Sequence, residues 1–235
     1  MAEHRSRVYG FLAAAYNRLP DEQFAEGLLG LDPSGAFSFL GEADGLPDDM
    51  REGLGLMNEF IQASKGKAAE DLATGLAVER TRLLRGVKPG YGPPPAYESV
   101  YASSGEQPVM QATMSVRQAY AEAGVGLPEE VRDQPDFIGF ELDFMRHLTA
   151  QEAEAWKKGG QEEASNLLKA ERAFLDDHLA RWVPRFCDVM EKEARLGFYQ
   201  GIAKLTKGFV LDEAETVREY LNDSALAAPV SHDGG

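Results

Sequence analysis

Asp143 and His147 are four residues apart, a spacing that would place two metal ligands on one face of a helix. Metal centres in helical bundles use more than two ligands, typically several inward carboxylates together with Glu-x-x-His pairs. None of the four histidines has a glutamate three residues before it. An ion pair on a helix surface is therefore the preferred interpretation, and a small helical enzyme or metal carrier stays as the alternative.

Other catalytic motifs are absent from the sequence. Neither a glycine-rich phosphate loop nor a dinucleotide fingerprint can be matched. Cys187, the single cysteine, lies in no nucleophile motif, and Ser99 has no strand-to-helix elbow around it. One cysteine also excludes an internal disulfide and a multi-cysteine metal site. The sequence therefore predicts no catalytic activity, no metal and no cofactor.

A Pro/Gly-rich connector, residues 87–107, contains the densest aromatic group. Tyr97, Val100 and Tyr101 lie there beside Glu98, directly after three consecutive prolines. Exposed aromatic rings gain nothing in water, so an ordinary solvated linker would not contain them. Two interpretations remain open: the rings fill the core, or they form the aromatic edge of a binding groove.

Acidic and aromatic residues also follow Pro135, which is predicted to begin a long helix with Asp136 in its first turn. Asp136 and Asp143 are seven residues apart and share a helix face, whereas Glu141 lies about 200° around from Asp143. These residues are either a solvated face or an acidic edge beside an apolar groove. The second interpretation suits a peptide in which arginines precede hydrophobic residues.

Composition restricts the class of partner. The 235 residues include 24 Lys and Arg against 39 Asp and Glu, a formal net charge of −15. Such a surface repels nucleic acid and anionic lipid and attracts cationic partners. No apolar run approaches the length of about 18 residues that a membrane span needs. A cytoplasmic protein without nucleic-acid binding or stable membrane insertion is expected.

Apolar periodicity predicts helices throughout the chain. Alternating runs rich in β-branched residues are missing, so the predicted fold class is all-α. On the helix over 108–124, Met110, Met114 and Tyr120 are expected on the buried side. The predicted helical segments are 8–19, 21–30, 47–61, 67–85, 108–124, 135–158, 161–183 with a continuation past Pro184, 198–210 and 213–221.

Turn-forming residues divide this helical bundle into two predicted lobes. Residues 1–126 form the N-terminal lobe with the aromatic loop 87–107, and residues 136–221 form the C-terminal lobe. Residues 127–135 are the predicted hinge, and 222–235 a disordered tail. Such a hinge is compatible with a monomer or with a domain-swapped dimer.

Several motifs in order resemble one family. The stretch 95–101, Pro-Ala-Tyr-Glu-Ser-Val-Tyr, is similar to the signature Pro-Tyr-Glu-Ser-Val-Tyr with Ala96 inserted. Residues 79–86 resemble the helix before that loop, and 134–145 resemble the motif Pro-Asp-His-Ile-x-x-Glu-Leu-x-Phe-Met. Phe174 to Pro184 matches its C-terminal helices. The chain from about residue 8 to 210 thus resembles the TorD/DmsD family of redox-enzyme maturation chaperones, related to NarJ.

The resemblance implies an all-helical chaperone, TorD-like in fold and without enzymatic activity. Such proteins bind the twin-arginine leader, and sometimes the body, of a molybdopterin oxidoreductase of the dimethyl sulfoxide reductase class before export. An assembly chaperone for a non-exported subunit, as in the NarJ role, is the alternative. Asp136 carries over from the family's Asp-His pair, and Phe137 replaces the histidine. The residues predicted to bind the leader are Tyr97, Glu98, Tyr101, Asp136, Phe137, Glu141, Asp143 and Trp182.

Overall fold

The computed structural model describes residues 1–31, 45–86, 90–101, 109–126 and 134–226. These residues form helices and short connections with one isolated β-bridge and no strand, which confirms the all-α class. The helices are α1 (Ala2–Asn17), α2 (Glu22–Gly30), α3 (Asp48–Ser64), α4 (Ala69–Leu84), α5 (Glu98–Tyr101), α6 (Val109–Glu122), α7 (Ile138–Lys157), α8 (Gln161–Phe174), α9 (Ala180–Glu193) and α10 (Gly197–Leu226). A π-helical turn, Leu175–Leu179, joins α8 to α9.

Local sequence signals account for several helix ends. The Asp21 carboxylate caps α2 by accepting a hydrogen bond from the Phe24 amide at 2.8 Å. Pro47 precedes α3, and two aspartates in the first turn of that helix interact favourably with the positive end of its dipole. The chain leaves α7 through Gly159, whose φ of +74° is readily adopted by glycine.

The helices share one hydrophobic core. Helix α1 packs along α7, and α3 packs along α10, so helices from both sides of the predicted hinge are in direct contact. Residues 127–133 of that hinge lie outside the described residues, as do 87–89 and 102–107 of the connector and 227–235 of the tail. The division into two lobes stays a prediction.

The α3–α10 contact depends on glycine. A Cβ atom added at Gly53 would lie 2.7 Å from the Gly201 carbonyl oxygen, and one added at Gly201 would lie 2.5 Å from the Gly53 carbonyl oxygen. Because these neighbours are backbone atoms, they cannot rotate away as a side chain could. Glycine therefore lets the two helix backbones approach one another directly.

Arg5 connects four helices inside the protein. From α1 its guanidinium donates to Glu213 of α10 at 2.7 Å, to Glu152 of α7 at 2.9 Å and to Glu171 of α8. All four side chains are buried. Burial, with the added charge of Glu152, raises the pKa of Glu171 to about 8, although the Arg5 charge opposes this rise. One cation faces three carboxyls, so a proton on one of them is favoured.

Several sequence expectations are wrong. Met110 and Met114 are exposed on α6, whereas Tyr120 is buried as expected, together with Ala112 and Val116. Both sets repeat at helical spacing, so periodicity alone could not choose between them. The predicted break between residues 210 and 213 is also absent, since α10 is continuous.

The last helix also extends beyond the predicted boundary of the C-terminal lobe. Residues 222–226, placed in the disordered tail by the sequence, form the end of α10. Ala214 and Val217 extend its buried stripe beyond Val210. The packed face of this helix therefore continues through the predicted break.

None of the helices within the described ranges is long and apolar enough to cross a membrane.

Two glycines two residues apart on α3 test the close helix contact. Gly53→Ala is expected to destabilise the protein by about 1–3 kcal/mol, because the new methyl group meets backbone of α10. Gly55→Ala is the control, since no atom of the described residues lies within 4 Å of its added Cβ, and it should stabilise the helix by about 0.5–1 kcal/mol. Urea unfolding measures both. Equal effects of the two substitutions would contradict the close contact.

Glu171 makes stability depend on pH. Its folded-state pKa of about 8 lies above the ordinary value of 4.5, so the folded protein holds the proton more tightly. This stabilisation is complete below about pH 4.5 and is lost as pH rises through 8. Glu171→Gln should therefore flatten the decline in unfolding free energy between pH 5 and 8.5. Glu163→Gln, on the exposed side of α8, should retain the parental slope, and identical slopes for all three proteins would refute the assignment.

Candidate functional site

The aromatic loop is attached to the residues that precede α7. The amide of Ile138 donates to the Ala96 carbonyl at 3.1 Å, and the amide of Glu98 donates to the Asp136 carbonyl at 2.9 Å. These bonds form an antiparallel bridge between Tyr97 and Phe137, whose ring centroids are 5.6 Å apart. Two of the sequence motifs that are distant along the chain thus meet through their backbones.

Asp136 lies before α7 and not in its first turn, which corrects the sequence prediction. Its buried carboxylate accepts hydrogen bonds from the Ser99 amide at 3.1 Å and from the Thr113 hydroxyl at 3.2 Å. Asp136 is fully buried, and both of its carboxylate oxygens have partners. The residue therefore links α5, α6 and the start of α7.

Glu98 reaches the π-helical turn. Its carboxylate lies 2.8 Å from Nδ1 of His178, and both side chains are buried. The His178 ring packs 4.7 Å from the ring of Phe174 at the end of α8. A π-helical turn changes the direction of side chains relative to a regular helix, and this one bears the histidine that meets the aromatic loop.

Glu141 and Trp182 pair α7 with α9. The indole N–H of Trp182 donates to Oε2 of Glu141 at 3.0 Å, and within the described part of the chain Oε1 of Glu141 has no hydrogen-bond partner. Burial, followed by the nearby charges of Glu98 and Asp136, raises the pKa of Glu141 well above its usual range. Folding therefore shifts the protonation equilibrium of Glu141 toward the neutral carboxyl.

Tyr101 completes this contact. Its hydroxyl donates to the Pro94 carbonyl at 2.8 Å, and its ring lies 5.9 Å from Trp182 and 5.4 Å from Phe186. Of the two open interpretations, core filling applies to Tyr101, which is buried, while Tyr97 is only partly buried. We refer to Glu98, Asp136, Glu141, His178 and Trp182 as the buried hub.

Most of the predicted leader-binding residues therefore lie in or against the buried hub. Asp143 does not: its half-exposed carboxylate pairs with Arg146 at 2.6 Å. His147 contacts Gln151 at 2.9 Å, and the described residues contain no group of three or more His, Cys, Asp or Glu side chains that could hold a metal ion. A leader-binding role for these residues stays a prediction, and contact with the hub acids would require the hub to open.

An open groove runs beside the hub along α8. It consists of two cavities, about 320 Å³ between α6 and the α8–π turn and about 670 Å³ toward the start of α8. Both are lined by Glu122, Ala123 and Ala170, so they adjoin. Phe144 and Phe174 lie on the floor of the first cavity, and His178 connects it to the hub. We call this surface the α8 groove.

Negative charge surrounds the α8 groove. Glu122, Glu162, Glu163 and Asp177 line it and are exposed. Among the described residues that line it, none is Lys or Arg. Alanines line both walls, and the floor of the first cavity is formed by Phe144 and Phe174, which are largely buried. Such a surface can bind a peptide that combines cationic and apolar side chains.

The sequence model of the family described as nitrate reductase delta subunit matches residues 43–188. The chain belongs to this family. Its members are redox-enzyme maturation chaperones of the TorD and NarJ type, and not enzymes. The matched range includes the aromatic loop and all described residues of the α8 groove and of the buried hub.

Individual relatives carry chaperone names. The protein is 26% identical to chaperone protein TorD of Photobacterium profundum over 208 residues, 88% of this chain and 91% of that protein. The match to TorD of a Vibrio cholerae serotype O1 strain, 27% identical, covers 54% of this chain and about half, 56%, of that relative. A selenate reductase assembly chaperone protein of Thauera selenatis is 42% identical over 60 residues, 26% of this chain and 30% of the relative.

The family-like stretch 79–86 has a structural explanation in this TorD/NarJ-family protein. Arg82 donates two hydrogen bonds to Glu79, at 2.8 and 2.7 Å, and a third to the Glu193 carbonyl at 2.6 Å. Glu79 in turn accepts from the Arg195 amide at 2.6 Å. The pair therefore ties α4 to the connection between α9 and α10.

No sequence motif indicated His178 or the carboxylates of the α8 groove as residues of a binding site. His178 is 80 residues from Glu98, and no local motif reveals that pairing. Glu122, Glu162 and Glu163 occur in an acidic chain where exposed glutamates are common. Their significance comes from the groove that α6, α7 and α8 form, which is a tertiary feature.

Two aspartates of the predicted site should respond differently to substitution. Asp136→Ala is expected to cost about 1–3 kcal/mol of stability, because the buried Ser99 amide loses its acceptor. Asp143→Ala removes only a half-exposed ion pair and should change stability by about 0.5 kcal/mol or less. Thermal and urea unfolding of both variants tests the difference. A larger effect at Asp143 would refute the assignment of Asp136 to the buried hub.

Proposed function

We propose that this protein is a cytoplasmic chaperone that binds the twin-arginine leader of a molybdopterin oxidoreductase of the dimethyl sulfoxide reductase class. It holds the precursor while its cofactor is inserted and before export. The observation that carries the proposal is the similarity to TorD over about nine-tenths of both chains. The client class is the one that the family resemblance implies.

Charge supports this choice of ligand. The formal net charge of −15 favours encounter with a cationic segment. The α8 groove adds local carboxylates above an aromatic floor, which suits arginines followed by an apolar run. Arginine contacts to carboxylates are charge-assisted, and burial of the apolar run supplies a contribution that salt does not screen.

The second candidate is an assembly chaperone for a redox subunit that is not exported. The family description, nitrate reductase delta subunit, and the selenate reductase assembly chaperone of Thauera selenatis favour it. Such a client would need no twin-arginine motif. The two candidates differ in the part of the client that the groove binds. Comparing the binding of a client with and without its leader therefore distinguishes them.

Capture of clients by the tagged, full-length protein in its native cytoplasm tests the proposal. An uncleaved molybdopterin oxidoreductase precursor, identified by mass spectrometry, is the expected partner. Changing the paired arginines of its leader to lysine should reduce capture, because lysine keeps the charge and loses the bidentate geometry. Deletion of the leader should abolish it.

The control is the same capture with the mature, leaderless enzyme. Equal capture of precursor and mature enzyme would replace leader binding with the assembly role. Absence of every redox-enzyme subunit from the captured proteins would refute both candidates.

A further inference from the structure

The α8 groove is chemically asymmetric along its length. At the start of α8 its exposed lining includes Glu162 and Glu163, with Glu122 shared between the two cavities. Toward the π-helical turn the floor is formed by Phe144 and Phe174. Leu148 and Leu167 also line the first end and Asp177 the second, so a ligand with a cationic end and an apolar end is matched better in one direction than in the other.

We infer that the groove binds the leader in a fixed orientation, with the paired arginines beside Glu162 and Glu163 and the apolar run toward Phe144 and Phe174. This inference rests on the proposed function and specifies its binding surface. It differs from the placement predicted by the sequence, in which the acids of the buried hub make the contact.

Burial of the hub acids is the first reason for this placement. Asp136 is fully buried, and both of its carboxylate oxygens already accept hydrogen bonds. Glu98 is hydrogen-bonded to His178. To reach these carboxylates, a guanidinium would have to lose its hydration and break the hydrogen bonds that the carboxylates already make. Glu162 and Glu163 are exposed and can pair with arginines without rearrangement of the fold.

Electrostatics is the second reason. The N-terminus of α8 contributes roughly half a positive charge, but the two adjacent glutamates outweigh it and Glu122 adds a third carboxylate nearby. The cavity at the aromatic end is lined by two exposed carboxylates, Asp177 and the shared Glu122, beside the buried His178. Among the described residues, three exposed carboxylates thus line the end of the groove to which we assign the arginines, against two at the other end.

The length of the groove is compatible with such a ligand. Helix α8 has 14 residues, which corresponds to about 21 Å at 1.5 Å per residue. An extended peptide covers about 3.3 Å per residue, so roughly six residues span the helix. An arginine pair and the beginning of the apolar run can therefore occupy the two ends together.

A double-mutant cycle on the full chain tests the orientation. The probe is a synthetic peptide with an Arg-Arg pair followed by an apolar run, compared with the same peptide carrying Gln-Gln. Glu162→Gln/Glu163→Gln should weaken binding of the Arg-Arg peptide about tenfold and leave the Gln-Gln peptide unaffected. Calorimetry or fluorescence anisotropy gives the affinities.

Two further variants complete the design. Glu70→Gln/Asp71→Asn removes two adjacent exposed acids from the first turn of α4, which matches the charge change outside the groove, and it should leave binding nearly unchanged. Ala173→Glu places a carboxylate at the exposed apolar end and should weaken both peptides by a similar factor. Far-UV circular dichroism confirms that each variant is folded.

Each outcome decides the inference. Loss specific to the Arg-Arg peptide in the Glu162→Gln/Glu163→Gln protein supports it. Equal loss for both peptides, or no loss, overturns the orientation while leaving the proposed function intact, provided that the parent protein prefers the Arg-Arg peptide. If the parent binds neither peptide, the orientation and leader binding fail together.

Discussion

Buried acids need partners, and this requirement determines how the centre of the protein is assembled. Glu98, Asp136 and Glu141 come from the aromatic loop, the residue pair before α7 and α7 itself. Each is matched by a group from another element: His178, the Ser99 amide and the Trp182 indole. Because an unpaired buried carboxylate is costly, these contacts stabilise the observed arrangement of α5, α7 and α9. That arrangement positions the walls of the α8 groove.

Much of the fold could be predicted from the sequence, because most helices begin and end at residues with a local preference. Pro47 with its following aspartates, Gly159 and the Asp21 cap are examples. The buried face of α6 could not be predicted, since methionine and alanine stripes repeat with the same period. That face is selected by Tyr120, whose hydroxyl donates to the Pro135 carbonyl at 2.9 Å in a region distant along the chain.

The sequence indicated that the motifs around Tyr97 and Phe137 belong together, but it did not indicate how exposed their residues are. The motif around Tyr97 and the one around Phe137 do meet, as their shared aromatic and acidic character suggested. Exposure depends on which remote groups cover them, and Arg85 above the Phe137 ring, at 4.7 Å, is one such group. The sequence does not distinguish a carboxylate that accepts a hydrogen bond from a buried amide from one that is accessible to a ligand.

The two tryptophans occupy opposite environments. Trp182 is fully buried against Tyr101 and Glu141, whereas the Trp156 side chain is 46% exposed and donates to Glu152 at 2.8 Å. Their fluorescence should therefore separate into a blue-shifted component that quenchers in solution do not reach and a red-shifted component that they do. The protein thus contains its own optical reporter, in which the blue-shifted emission records whether the centre stays closed when a client is bound.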